Sequence, residues 1–203
     1  MSDTNAKAAP ALVCESVTMR FGGLTAVSGF NLRVPKGALY GLIGPNGAGK
    51  TTVFNMVSGV IHPSAGAIRL FGTDITGLSP DRVAHSGIAR TFQNIRLFRN
   101  LTVLDNVLVG LHLRRQANVV EALLALPRHS AEEAQMAATA TQLLEEIGLA
   151  DVSHYRASAL PYGQQRRLEI ARALATKPAV LLLDEPAAGM NPAETEDLMH
   201  LIT

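Results

Sequence analysis

The stretch Gly44-Pro45-Asn46-Gly47-Ala48-Gly49-Lys50-Thr51, followed by Thr52, constrains this chain more than any other. It reads G-x-x-x-x-G-K-[ST], a spacing that typical residue frequencies produce by chance on the order of once in a hundred chains of this length. Upstream, Ala38 to Ile43 is a short apolar run of strand type, and downstream Thr51 to Ser58 carries apolar residues at helical spacing. The expected order is strand, glycine loop, helix. Gly44, Gly47 and Gly49 permit backbone conformations barred to residues with a Cβ and let N–H groups approach an anion at a helix N-terminus. The loop from Gly44 through Asn46, Gly47, Ala48 and Gly49 to Thr52 would therefore cradle phosphates. Lys50 would reach the β- and γ-phosphates, and the Thr51 hydroxyl would hold Mg²⁺.

The rest of the composition narrows the class. With 203 residues, 47% hydrophobic and 17% charged, the chain can bury a sizeable core and is expected to form one domain. A formal net charge of +1 gives no general attraction to nucleic acid or acidic lipid. The single cysteine, Cys14, excludes an internal disulfide framework and a Cys-rich metal site, and reads as a small buried strand residue. The six histidines show no metal-ligand spacing. Met1 to Pro10 reads as a loose tail without the pattern of a signal or transit peptide, and no apolar run reaches the ~20 residues of a membrane helix. The expectation is a cytoplasmic protein, held at a membrane only by a partner.

In chain order, Leu12 to Phe21 and Ala26 to Val34 read as strands, with Pro35-Lys36-Gly37 a turn before the central strand at 38–43. Ala67 to Phe71 is another strand. Asp81 to His85 is a helical turn, and Ile88 to Gln93 a strand ending in a glutamine. Thr102 to Leu113, Val119 to Leu126 and Ala131 to Ile147 form a helical region. For the last of these, Ser130 with Glu133 is a capping box, and Ala134, Ala137, Ala138, Leu144 and Ile147 form the apolar side. Gly163 to Ala175 is a helix with Leu168, Ala171 and Ala175 on one side. Its Arg166, Arg167 and Arg172, interspersed with Glu169, read as a solvated or interface face. Val180 to Leu183 is a fully buried strand, and Pro192 opens a final helix.

That buried strand ends in Asp184 and Glu185, at the strand end where open α/β sheets place ligands. After a phosphate loop, Asp184 would bind Mg²⁺ and Glu185 would orient or deprotonate an attacking water. Ahead of the preceding helix stands Leu160-Pro161-Tyr162-Gly163-Gln164-Gln165-Arg166-Arg167, which resembles the L-S-G-G-Q signature of ABC-type ATPases. Phosphate loop, signature and acidic strand follow in that family's order. The resemblance implies an α/β, RecA-like P-loop NTPase core with a small antiparallel β subdomain and an inserted α-helical subdomain. The expected division is 11–34 and 66–75 for the β part, 94–159 for the helical part, and 35–65, 76–93 and 160–203 for the core. It further implies that Gly163 and Gln164 face the ATP of a partner subunit, bare N–H groups at a helix start being suited to phosphate oxygen. Gln93, in Arg90-Thr91-Phe92-Gln93-Asn94-Ile95-Arg96-Leu97-Phe98, resembles the glutamine that reaches Mg²⁺ and water. Leu97, Phe98 and Leu101 stand where a membrane subunit is contacted or where the lobe buries them. Phe21 resembles the aromatic that stacks on adenine, with a core phenylalanine as the alternative.

Most of the chain resembles the ATP-binding subunit of branched-chain amino-acid importers, on Arg90 to Arg99, Tyr162 to Arg172 and Asp184 to Pro192. The resemblance implies an assembly of two related ATPases on the inner face of the membrane, two membrane permeases and a periplasmic binding protein, with no nucleic acid. The lipopolysaccharide-export ATPases are the alternative branch. Three departures stand out. Pro161 and Tyr162 replace the signature's serine and first glycine. Asn191 replaces an aspartate, so these changes either weaken one of two composite sites or are the wording of this branch. The chain also ends at Thr203, before the position of the family's switch histidine, so the expectation is a truncated or incomplete form.

Overall fold

The structure, a computed structural model, describes residues 10–112 and 127–202, the side chains of 127–131 excepted. The expected helix at 119–126 and most of the N-terminal tail lie outside the described residues. The chain divides into two compact units, Met1–Ile88 and Ala89–Thr203.

In the first unit, β1 (Pro10–Phe21) and β2 (Leu24–Pro35) form an antiparallel hairpin. β3 (Ala65–Leu70) pairs on the other side of β1, and a two-residue β4 (Thr73–Asp74) pairs with β3. The order β2-β1-β3-β4 makes β1 an inner strand, and its residues Ala11 to Cys14 are buried in succession rather than alternately, as in a strand covered on both faces. Cys14 lies opposite Leu32 on one side and Ile68 on the other, and is 2% exposed. Gly66 sits at φ 91, and a Cβ there would lie 2.5 Å from the Ser16 carbonyl oxygen, so glycine is what allows β3 to cross the bulge of β1 at Ser16. Two helices complete the unit: α1 (Lys50–Val57) and α2 (Pro80–Ser86). Val53, Met56 and Val57 are the buried residues of α1, at the helical spacing legible in the sequence.

One expected element is not formed. Residues 38–43 adopt no strand, and Leu39, Tyr40 and Ile43 are 69%, 56% and 94% exposed. A strand exists through its ladder of inter-strand hydrogen bonds, and among the described residues no neighbour pairs with this run.

In the second unit, β5 (Ile88–Arg90) and β6 (Val180–Leu182) form a two-stranded sheet, extended by a hydrogen bond from the Thr91 amide to the Leu182 carbonyl, 3.0 Å. β5 ends three residues before Gln93, which lies on a loop. β6 is half-buried rather than fully buried, since β5 is its one partner among the described residues. The α-helices among this unit's described residues are α3 (Val103–His112), α4 (Pro127–Glu146), α5 (Tyr162–Ala175) and α6 (Pro192–Ile202). Val103, Val107, Ala140, Leu144, Ile147, Leu168, Ala171 and Ala175 form their shared core. Gly110 of α3 lies so close to α5 that a Cβ would stand 2.5 Å from the Arg172 carbonyl oxygen.

Helix α4 corrects two expectations. Its described residues run Pro127–Glu146, so Ser130 lies within the helix and cannot be the cap of a capping box. Ala134, Ala137 and Ala138 are exposed, and burial starts at Ala140. Alanines suit a solvated helix face as well as a packed one, so their spacing alone did not identify the buried side.

Burial pushes the Cys14 thiol from 9.0 up to about 11. Such a thiol contributes stability that is present below the unfolded pKa and lost as pH rises toward the folded one. Between pH 9 and 11 the unfolding free energy of the parent protein should fall relative to Cys14→Ala, by at most roughly 1.4 kcal/mol per pH unit. Paired urea titrations at pH 8, 9.5 and 10.5 would measure that difference.

Candidate functional site

The phosphate loop belongs to the first unit. Gly47 and Gly49 take φ 84 and 85, the left-handed backbone that the motif requires. A Cβ on Gly49 would meet the Ala26 carbonyl oxygen at 2.7 Å and Val27 Cγ2 at 2.9 Å, so β2 presses on the loop from behind. Gly49 is the N-cap of α1 and supplies no side-chain acceptor, which leaves the first amides of the helix for an anion. Asn46, Gly47 and Ala48 are exposed, Gly44 is half-buried, and the Lys50 ammonium donates to the loop's own carbonyls, Gly44 O at 2.6 Å and Pro45 O at 2.9 Å. Thr51 is exposed and Thr52 half-buried on the opening turn of α1. Phe21 ends β1 at 48% exposure, so the alternative of a core phenylalanine does not hold.

The acidic strand end belongs to the second unit. Asp184 is buried and ion-paired to Arg90, with Nη2 to Oδ2 at 2.9 Å. Glu185 is exposed and accepts a hydrogen bond from Gln93 Nε2 at 3.1 Å. The glutamine and the glutamate, 92 residues apart in sequence, are thus brought together. Glu185 also sits at φ 46, a left-handed backbone unusual for a residue with a Cβ.

At the signature, α5 starts at Tyr162 with Pro161 as its N-cap. The Tyr162 hydroxyl donates to the Ala188 carbonyl at 3.1 Å, which ties the helix start to the turn after Glu185 and gives this departure from the L-S-G-G-Q pattern a structural use. Gly163 is buried, and a Cβ there would come within 2.6 Å of Glu194 Cδ; Gln164 is half-buried. Asn191 caps α6: its Oδ1 accepts from the Glu194 amide at 2.9 Å while the Glu194 carboxylate accepts from the Asn191 amide at 3.0 Å.

The arginines of α5 divide three ways, and the expectation of a solvated or interface face fails for Arg166. It is fully buried and paired with buried Glu169, Nη1 to Oε2 at 2.7 Å. Arg167 pairs with Asp197 at 3.2 Å, and the Arg172 guanidinium lies 5.4 Å over the Phe98 ring, its pKa lowered by burial and partly restored by Glu169. An i,i+3 opposite-charge pair flanking Leu168 was the signal available. A helix buried on almost every side was not legible from one face of apolar residues. Phe98 and Leu101 are 48% and 37% exposed, whereas Leu97 packs on the core.

A glycine loop on an uncapped helix start, with a separate acidic strand end, defines a phosphate-loop NTPase. The sequence profile of the ABC transporter family matches residues 27–188, and the chain belongs to that family of nucleotide-binding, ATP-hydrolysing subunits. It is 48% identical to the high-affinity branched-chain amino acid transport ATP-binding protein BraF of Pseudomonas aeruginosa, over 95% of this chain and 76% of that protein. It is 46% identical to the corresponding protein LivG of Escherichia coli K12, with the same shares covered. Among solved structures, the ADP conformation of MJ1267, an ATP-binding cassette of an ABC transporter, superposes with a TM-score of 0.80 at 31% identity, over 95% of this chain and 75% of that one. No described helix is long and apolar enough to cross a membrane.

Gly49→Ala should strain the loop by about 1–3 kcal/mol and force it off β2, lowering ATP affinity about tenfold or more by titration calorimetry. Gly37→Ala is the control. Its φ is +72 but nothing lies within 4 Å of the added carbon, so it should keep the parent affinity.

Proposed function

We propose that the chain is the ATP-hydrolysing subunit that powers import of branched-chain or related hydrophobic amino acids. Its identity to BraF over nearly the whole chain carries the cargo assignment, and the pairing of Gln93 with Glu185 supports the hydrolytic one. A single ATPase domain, divided into core, β and helical parts at the boundaries given above, is the organisation we propose.

In this reading the amides of residues 47–52 and the Lys50 ammonium take up phosphate charge. Lys50 exchanges its two carbonyl acceptors for phosphate oxygens, a charge-assisted replacement that favours binding. Phe21, exposed at the end of β1, offers its ring to adenine. The residues that would hold Mg²⁺ are Thr51 by its hydroxyl, Asp184 by its carboxylate and Gln93 by its amide oxygen. They are hard oxygen ligands, and no described group of three His, Cys, Asp or Glu side chains competes as a metal cage. When bound, Mg²⁺ would neutralise developing phosphate charge. Arg90 holds the Asp184 carboxylate in place through their ion pair. Glu185 accepts a proton from water, and Gln93 orients both water and carboxylate. Gly163 and Gln164 of a second, related ATPase subunit would close on the phosphate. Phe98 and Leu101 would meet one of two membrane permeases at the inner face of the membrane, with a periplasmic binding protein delivering cargo. Tyr162 and Asn191 are the wording of this branch, since one anchors the start of α5 and the other caps α6.

Glu185→Gln should bind ATP as the parent does and turn it over ~10²-fold or more slowly; parent-like phosphate release would overturn the base assignment. The cargo is tested in the complex purified from native membranes. Stimulation of turnover by a leucine-loaded binding protein is expected, whereas recovery with lipopolysaccharide-export components would transfer the chain to that branch.

A further inference from the structure

We propose that Arg166, with Glu169 as its counter-ion, is a positioning residue for hydrolysis that sets Gln93 against Glu185. This rests on the roles given to those two residues above.

Arg166 is fully buried on α5, two residues beyond Gln164 of the signature-like stretch, and its donors are spent on two separate backbone segments. Nε donates to Pro186 O at 3.1 Å, and Nη2 to Glu185 O at 3.0 Å, with Asp184 O at 3.4 Å. Nη1 donates to Phe92 O at 2.5 Å and to Glu169 Oε2 at 2.7 Å, and Gln93 O lies 3.5 Å from Nη2. The other oxygen of Glu169 accepts the Arg96 amide at 3.1 Å and lies 3.5 Å from the Phe92 amide. One guanidinium–carboxylate pair therefore staples the loop 92–96 to the turn 184–186. The Gln93–Glu185 hydrogen bond spans the two segments so joined.

The backbone of Glu185 gives the staple a task beyond packing. A left-handed φ of 46 on a residue with a Cβ costs free energy and persists where the surroundings over-determine it. Arg166 grips carbonyls at and on both sides of that residue. Lysine keeps the charge but lacks the planar fork that serves two segments at once.

The test is Arg166→Lys in the full-length protein within its native membrane complex. ATP affinity, by fluorescent nucleotide titration, should stay within about twofold of the parent while kcat falls roughly 10–100-fold, the cost of a small misplacement of reacting groups. In a Glu185→Gln background the same substitution should change the residual turnover by less than about threefold, because the group it positions is already disabled. An unchanged kcat, or equal fold losses in both backgrounds, would overturn the proposal. If Arg166→Lys does not fold, Glu169→Gln keeps an acceptor, removes the charge and is read the same way. Parent-like turnover of Glu185→Gln alone sinks the base assignment independently, and the coupling is then read against Gln93→Ala.

Discussion

A guanidinium taken out of water needs an acceptor for each N–H and a counter-charge nearby, and in the second unit that demand shapes everything around Arg166. Glu169 supplies the charge, and backbone carbonyls from two loops supply the remaining acceptors. Such a pair is poor evidence of net stability, because desolvating two ions offsets much of their attraction. What it supplies is uniqueness. Few arrangements of residues 92–96 and 184–186 satisfy all the donors together, so loops without secondary structure of their own acquire a defined geometry. Arg90 repeats the arrangement on a smaller scale by fixing Asp184 from the end of β5.

The first unit solves a different problem, that of keeping positive potential concentrated without a buried cation. Its means are backbone amides in a loop that only glycine can adopt and a lysine folded on the loop's own carbonyls. The carbonyl of Ala26 behind Gly49 limits how far the loop can retreat. The sheet is therefore a backstop for the loop, and its bulged, inner β1 is the stiff element of that backstop.

Much of this was legible in the sequence wherever the signal was local. The glycine loop and α1 declare themselves by spacing, the hairpin by two apolar-rich runs separated by Gly22-Gly23, and α5 by Leu168, Ala171 and Ala175. What was not legible depended on distant partners. Ala38 to Ile43 has strand composition, yet pairing decides whether a strand forms. Alanines at helical spacing on α4 said nothing of which side is buried. Arg166 looked like a surface charge because its acceptors, 20 and 74 residues away, are main-chain carbonyls that no side-chain pattern announces. The same holds for Tyr162 and Asn191, which departed from a family pattern and turned out to have local structural work.

Glu194 does two things at once: its carboxylate caps α6 through the Asn191 amide, and its side chain fills the space over Gly163 at the start of α5. Positions 163 and 194 consequently share one volume. A side chain at the first would displace the flexible end of Glu194, and α6 would then lose the bond from the Asn191 amide while Asn191 Oδ1 still capped the Glu194 amide. The two sites are thus sterically coupled, so invariance of the glycine among related chains would not by itself testify to contact with nucleotide.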